Sequence, residues 1–286
     1  MKAGEFYSVL LNTLKSRRDI TIKKYKIKYR SGEYDFLRIA SKEIEPKDKI
    51  IMIRAGIHGD ETAGPLTIAS FCNGIIYHIH QAGLKCIIYP LGNPSGFEAG
   101  KRYNIDDEES DGNDDFIRYE MEDGSIWGAI EEGAKFKKWH WSSEPKLKIK
   151  LPKETKLIHR LLKRDPLSQI PAVIDLHQDY ISDFPVGAYH YAFGDLSRYE
   201  SIVEKIKEIA PILCNTHVGA GERYPVKSDS QGFIIRHDGT LSDLMFRLGV
   251  EHSVVVETIG VAPTYIACKV NLIWIFGIVD LVKKEA

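Results

Sequence analysis

The chain has 286 residues, 43% hydrophobic, with 39 Lys+Arg against 40 Asp+Glu, a formal charge of -1 and four cysteines. A balance this close to neutral excludes the strongly basic footprint of a general nucleic-acid or anionic-membrane binder, and the composition excludes an intrinsically disordered chain. A soluble chain of this length buries roughly three quarters of the surface it exposes when unfolded, so it needs no disulfide scaffold.

The N-terminal stretch MKAGEFYSVLLNTLKSRRDI is too interrupted for a secretory apolar region and has no small-residue cleavage site, which makes a cytoplasmic protein the expectation. Thr21 to Arg30 and Tyr34 to Ala40, separated by Ser31-Gly32-Glu33, alternate as a β-hairpin. Lys49 to Ile53 reads as a buried strand, followed by Ala55-Gly56 and a helix from Glu61 to His80. Cys86 to Leu91 is a second buried strand, closed by the turn Gly92-Asn93-Pro94. Ala172 to Leu176 and Ser253 to Val256 are the third and fourth, with helical periodicity at Leu196 to Ile209 and Leu241 to Leu248. Val270 to Val282 is apolar for about 13 residues, short of the roughly 20 of a membrane helix, and reads as a terminal helix packed on the core. Strands alternating with helices indicate an α/β fold with a mixed, largely parallel central sheet flanked by helices. Cys72, Cys86, Cys214 and Cys268 form no C-x-x-C pair and read as reduced and mostly buried.

The middle of the chain breaks this pattern. Asp106 to Asp123 holds ten acids against one base, Arg118, whereas Lys135 to Arg164 holds eleven bases against Glu144 and Glu154. Because the apolar strand pattern resumes beyond it, residues 106–150 are expected to be a charged, aromatic insertion in a single catalytic domain spanning 1–286. His140, between Trp139 and Trp141, is expected in the insertion's own small core. The acidic run is expected to be a solvated loop; a second metal or a cationic substrate group is the alternative.

Four successive strand ends carry the residues of chemical interest. His58-Gly59-Asp60-Glu61 follows the first buried strand, and His58 and Glu61, three apart, can converge on one point as two thirds of a His2Glu metal site. Asn93-Pro94-Ser95-Gly96-Phe97, with Arg102 nearby, follows the second; Asp175-Leu176-His177 ends the third; and Glu257 ends the fourth. In open α/β sheets ligands collect at this carboxyl edge. His78 and His80, two apart on a helix, face different directions, whereas His217, His237 and His252 fall near the expected edge.

HGDE, the GNPSGF turn, Arg102, DLH and VVVETIG, in that order between Ile51 and Gly260, resemble the zinc carboxypeptidase superfamily, which includes the succinylglutamate desuccinylase and aspartoacylase deacylases. The resemblance implies a zinc-carboxypeptidase-like fold and one Zn2+ per chain, with His58, Glu61 and His177 as ligands. It also implies Glu257 as general base or acid and Arg102 as the cation that polarises the scissile carbonyl. Asp175, two before His177, is a candidate to orient an imidazole ring from behind, with a strand-end turn residue as the alternative. The Asn-Arg pair that grips a substrate carboxylate in these families is missing, since the stretch reads Arg102-Tyr103-Asn104-Ile105-Asp106 and continues to Asn113-Asp114-Asp115. Arg118 is expected to supply the missing fork, with Asn93 and Asn113 as further substrate contacts. The family's substrate-covering tyrosine is also unmatched: Ile235 falls at its place, beside Arg236 and His237, and Tyr224 is the candidate substitute.

The expected function is hydrolysis of an amide bond in a peptide by a carboxypeptidase-like metallopeptidase. The alternative is deacylation of an N-acyl amino acid, and a rival of another class is a non-catalytic metal-binding or interaction protein. Only 29 residues follow Glu257, too few for the deacylases' β-rich terminal domain, whereas the short spacing of Lys101-Arg102-Tyr103 after the turn resembles the deacylase branch. No nucleic-acid or membrane partner is expected.

Overall fold

The computed structural model describes residues 1–106, 115–131, 133–180, 185–218 and 226–285. Asn113 and Tyr224, and most of the acidic run, lie outside the described residues. Helix α1 (Ala3–Leu14) leads into the hairpin β1 (Ile20–Tyr29) and β2 (Gly32–Ser41), then β3 (Ile50–Ala55), α2 (Ala63–Gln81), β4 (Lys85–Tyr89) and the short α3 (Pro94–Ala99). The middle of the chain forms β5 (Ile117–Glu120), β6 (Ile126–Trp127), β7 (Lys138–Trp141) and α4 (Lys153–Leu162). The chain then runs through β8 (Ala172–Asp179), β9 (Ala188–Ala192), α5 (Glu200–Lys207), β10 (His217–Val218), β11 (Val226–Lys227) and β12 (Phe233–Ile234). It closes with α6 (Leu241–Arg247), β13 (His252–Ile259) and α7 (Thr264–Lys284).

Eight strands form the central sheet in the order β1-β2-β4-β3-β8-β13-β9-β12. Its middle, β4-β3-β8-β13, is parallel, while β1-β2, β2-β4 and β13-β9 are antiparallel. The mixed, largely parallel sheet expected from the apolar runs is therefore present. Those runs are continuous because both faces are covered. Ile51, Ile53, Ile174, Leu176, Val254 and Val256 point into one core with α1, α2, α5 and α7. Ile50, Met52, Ile87, Tyr89 and Val173 point into a second core with α4, α6 and the inserted strands.

Helix α7 is longer than its apolar stretch suggests. At 21 residues, with an 18-residue window of mean hydropathy 1.8, it is long and apolar enough by length and composition to cross a membrane, yet half of that window is buried against the protein. Trp274, Ile275, Ile278 and Val279 have no exposed surface and lie in the first core, as in the core helix of a globular domain.

The inserted strands form a separate antiparallel sheet ordered β6-β5-β7. Trp127, Trp139 and Trp141 are partly buried against the second core, and buried His140 reaches Glu120 at 2.7 Å. The two histidines of α2 are structural: His78 lies 3.3 Å from Asp280 on α7, and His80 joins Ser41 and Asp19, each at 2.8 Å.

Candidate active site

Strand register places the key side chains. Side chains along a strand alternate between faces, so Asp175 and His177 on β8 share a face, as do Val255 and Glu257 on β13. The parallel β8-β13 pairing sets Glu257 beside His177 and Val255 beside Asp175, while Arg54 on β3 is opposite Asp175. The antiparallel β13-β9 pairing adds Tyr189 beside Glu257 and Tyr191 beside Val255. The carboxyl edge therefore carries one row, His177-Glu257-Tyr189, and beneath it a second, Arg54-Asp175-Val255-Tyr191.

The loop between β3 and α2 brings His58 and Glu61 over this edge. Gly59 allows it: a Cβ there would lie 2.1 Å from the Gly96 carbonyl carbon and 2.3 Å from the Phe97 nitrogen. The Gly59 N–H donates to the Arg102 carbonyl at 3.0 Å, which ties the loop to the segment after α3. His58 Nδ1 lies 2.6 Å from Glu61 Oε1, and His177 Nδ1 lies 2.9 Å from Glu61 Oε2. One ligand atom from each of the three residues falls within 4.8 Å of the others, and all three side chains are buried. Two imidazoles and a carboxylate, closed off on one side and facing a cavity on the other, match the donor set of a catalytic zinc site.

Each of these groups has a partner that fixes its orientation or charge. His177 Nε2 lies 3.3 Å from Asp175 Oδ2, leaving Nδ1 directed at Glu61. Asp175 in turn accepts from Arg54 Nε at 2.9 Å. Burial opposes charge on Asp175, but Arg54 and His177 bring its pKa below the usual carboxylate value. Burial likewise opposes charge on Glu61, and His58 and His177 outweigh it, holding its carboxyl well below the ordinary range. For His177, Asp175 and Glu61 overcome burial and push its pKa well up. Two carboxylates converging on one imidazole are a site suited to concentrated positive charge.

Glu257 has the opposite character. It is buried, its Oε2 has no hydrogen-bond partner among the described residues, and its pKa is pushed well above the ordinary range by burial, with Glu61 and Asp179 adding to the shift. Arg102 is half exposed, and its Nη1 lies 2.9 Å from Glu61 Oε1.

The site opens into a cavity of about 770 Å3 lined by His58, Arg102, His177 and Glu257. Arg118 enters the cavity from β5, paired with Asp115 at 2.7 Å. Asn93 has a different place from the one expected. It is fully buried at the start of α3, where its Oδ1 accepts from Gly96 N at 2.9 Å and its Nδ2 donates to the Arg102 carbonyl at 3.2 Å. It supports the backbone of Arg102 and does not line the cavity. His252 is also displaced from expectation: it begins β13, at the opposite end from Glu257, and meets Tyr199 and Glu285.

Several residues in the cavity wall, and one buried beneath it, were not anticipated. Arg54 sits one residue beyond the apolar run that signals its strand, and Tyr191 and Val255 are recognisable only through register. Arg236, Asp238 and Thr240 come from the segment joining β12 to α6, where sequence periodicity carries no signal, and Ser242 comes from the first turn of α6.

Among solved structures, the chain is similar to a candidate metallopeptidase from Shewanella baltica OS155, at 19% identity and a TM-score of 0.69, covering 99% of this chain and 92% of that one. It is also similar to bovine thrombin-activatable fibrinolysis inhibitor solved with tick carboxypeptidase inhibitor, at 15% identity and TM-score 0.63, covering 100% and 98%. A metallo-carboxypeptidase from Burkholderia cenocepacia matches at 13% identity and TM-score 0.59, covering 99% and 69%. These likenesses establish a carboxypeptidase fold. No curated protein sequence matches significantly. The family model for the succinylglutamate desuccinylase/aspartoacylase catalytic domain matches residues 47–197, more than half of the chain and including His58, Glu61, Arg102 and His177. The chain belongs to the succinylglutamate desuccinylase/aspartoacylase catalytic domain family.

Proposed function

We propose that the protein is a zinc-dependent hydrolase of an amide bond, acting on a peptide as a carboxypeptidase-like metallopeptidase. The observation that carries this reading is the β8-β13 register, which sets Glu257, a buried carboxylate whose Oε2 has no hydrogen-bond partner among the described residues, directly beside the His58-Glu61-His177 cluster. One zinc ion per chain would be held by those three residues. When bound, such an ion retains a position for water and lowers its pKa from about 15.7 to about 7.

The chain's own residues supply the remaining chemistry. Glu257 accepts a proton from the attacking water and returns it to the leaving amine; a positioned acid/base contributes typically about 10²–10⁴-fold. Its burial suits both duties, because a raised pKa makes the carboxylate a stronger base and its protonation easier. Arg102 offsets charge that grows on the scissile carbonyl oxygen. Its contact with Glu61, and the hold of Gly59 and Asn93 on its backbone carbonyl, keep it at the cavity mouth.

The carboxylate fork missing from the sequence motif is supplied by Arg118, which reaches the same cavity from the inserted sheet. A substrate carboxylate would replace Asp115 on its guanidinium. Arg236, 3.6 Å from Asp238, provides a second guanidinium in that cavity.

Deacylation of an N-acyl amino acid is a second reading, favoured by the family match over residues 47–197. The test is hydrolysis by zinc-loaded protein of peptides with free C-termini, the same peptides amidated, and N-acyl amino acids. The expected result is at least about tenfold preference for the free peptide, since a bidentate arginine-carboxylate contact is lost on amidation. Preference for N-acyl amino acids would replace the peptidase reading with deacylation, and no hydrolysis of any class would overturn both.

A further inference from the structure

The cavity's far wall is assembled from two parts of the chain that meet only through side chains and loop backbone. Arg118 comes from the inserted strand β5, whereas Arg236, Asp238 and Thr240 come from the segment between β12 and α6. At the seam the Ile130 N–H donates to the His237 carbonyl at 2.8 Å, and the Phe116 and Ile117 N–H groups donate to the Gly239 carbonyl at 2.5 and 3.2 Å. Gly239 has φ 73°, and a Cβ on it would lie 2.6 Å from the Ile117 carbonyl oxygen, so the approach requires glycine.

One buried carboxylate holds both sides. Asp243, on the first turn of α6, has no exposed surface. Its Oδ2 accepts from the Tyr119 hydroxyl of β5 and, at 3.0 Å, from the Gly239 N–H. Its Oδ1 lies 2.9 Å from His237 Nδ1 and 3.5 Å from Arg247 Nε. These partners are sequence neighbours of the wall residues: Tyr119 follows Arg118, His237 follows Arg236, and Gly239 lies between Asp238 and Thr240. Arg118, Arg236, Asp238 and Thr240 thus each adjoin in sequence a residue bound to Asp243. Phe193, itself on the cavity, stacks against His237 with ring centroids 5.3 Å apart, which extends the hold to the segment after β9.

We infer that Asp243 is a positioning residue for substrate: by joining Tyr119, His237 and Gly239 on one carboxylate, it fixes Arg118 and Arg236 relative to the catalytic row. This rests on the hydrolase reading above and assigns Asp243 to substrate affinity, since none of its contacts reaches His58, Glu61, His177 or Glu257. A network of this kind specifies one arrangement when every member is satisfied, and loosens when one is removed.

The test compares the parent with Tyr119→Phe and Asp243→Asn, using the best substrate of the hydrolysis panel. Tyr119→Phe keeps the ring against Phe136, 5.1 Å away, and removes only the link across the seam. The expected result is a KM raised about 5- to 20-fold, with kcat within about threefold and unchanged zinc content, because uniform substrate binding is lost and the chemical step is spared. Faster amide exchange at Gly239 and Ile130 should accompany it. A lowered melting temperature with parental KM and kcat, measured well below the transition, would reduce Asp243 to a structural role and overturn the inference. If Asp243→Asn does not fold, Tyr119→Phe decides alone. A parent inactive on the whole panel would overturn the functional reading; unchanged exchange at Gly239 in Tyr119→Phe would overturn the clamp itself.

Discussion

His177 can offer Nδ1 to a metal because Asp175 occupies its other nitrogen and Arg54 holds Asp175 in turn. Partners of this type typically change metal affinity about 10–100-fold. Asp175→Asn should therefore weaken zinc binding by about that factor, measured by competition with a chelator; parental affinity would show that His177 needs no such support. Asp243 makes a different prediction. Burial raises its pKa from 3.8 to about 6, so the folded protein binds its proton more tightly than the unfolded chain. That contribution to stability is fully present below about pH 4 and is lost as pH rises through about 6. His237, whose pKa burial lowers to about 4, stays neutral above pH 5 and does not reverse the sign. In urea titrations the stability of the parent relative to Asp243→Asn should increase by about 1 kcal/mol between pH 7.5 and pH 5. An unchanged relative stability over this range would place the carboxylate in its ionised form at both pH values.

At the scale of elements, the loop from β3 to α2 depends on a close backbone approach to α3. Gly59→Ala must displace the backbone at Gly96 and Phe97, where the clash cannot be relieved by a side-chain rotation. A loss of about 1–3 kcal/mol is expected in denaturant titration, with reduced zinc content because His58 and Glu61 flank the shifted residue. Parental stability and zinc content together would mean that the loop accommodates a methyl group. The same elements show what a reader of the sequence could find. β3, β4, β8 and β13 announce themselves as apolar runs because helices cover both faces of the sheet, and the ligand residues stand where those runs end. β9, Ala-Tyr-His-Tyr-Ala, and the two-residue β12 have no such run, since they are placed by pairing with β13 and with each other. α4 and the inserted sheet lie within blocks of charge, and α4 presents its apolar face as Leu157, Ile158, Leu161 and Leu162 among lysines. His177 and Glu257 were legible because they stand where apolar strand runs end; Tyr189 on β9 and the far wall, with Arg236 and Asp238, were not, because tertiary contacts alone bring them to the site.

For the whole molecule, a formal charge of -1 conceals opposed blocks that meet in the fold. Lys153 from the basic block lies 2.6 Å from Asp106 of the acidic one, and Lys137 and Lys138 lie 3.7 and 3.5 Å from Glu120. These exposed lysines add little stability individually, but they place the two blocks beside each other and the Arg118-bearing sheet beside the cavity. In the proposed function, substrate selection and chemistry come from different parts of the chain: the inserted sheet and its seam on one side, the strand ends on the other. The central claim concerns the strand ends. Its most direct test is zinc content and kcat measured together in the parent and in Glu257→Gln. The expected result is about one zinc per chain in both proteins, with kcat lower by about 10²–10⁴-fold in the variant; a variant that retains parental kcat, or a parent that binds no zinc, would contradict it.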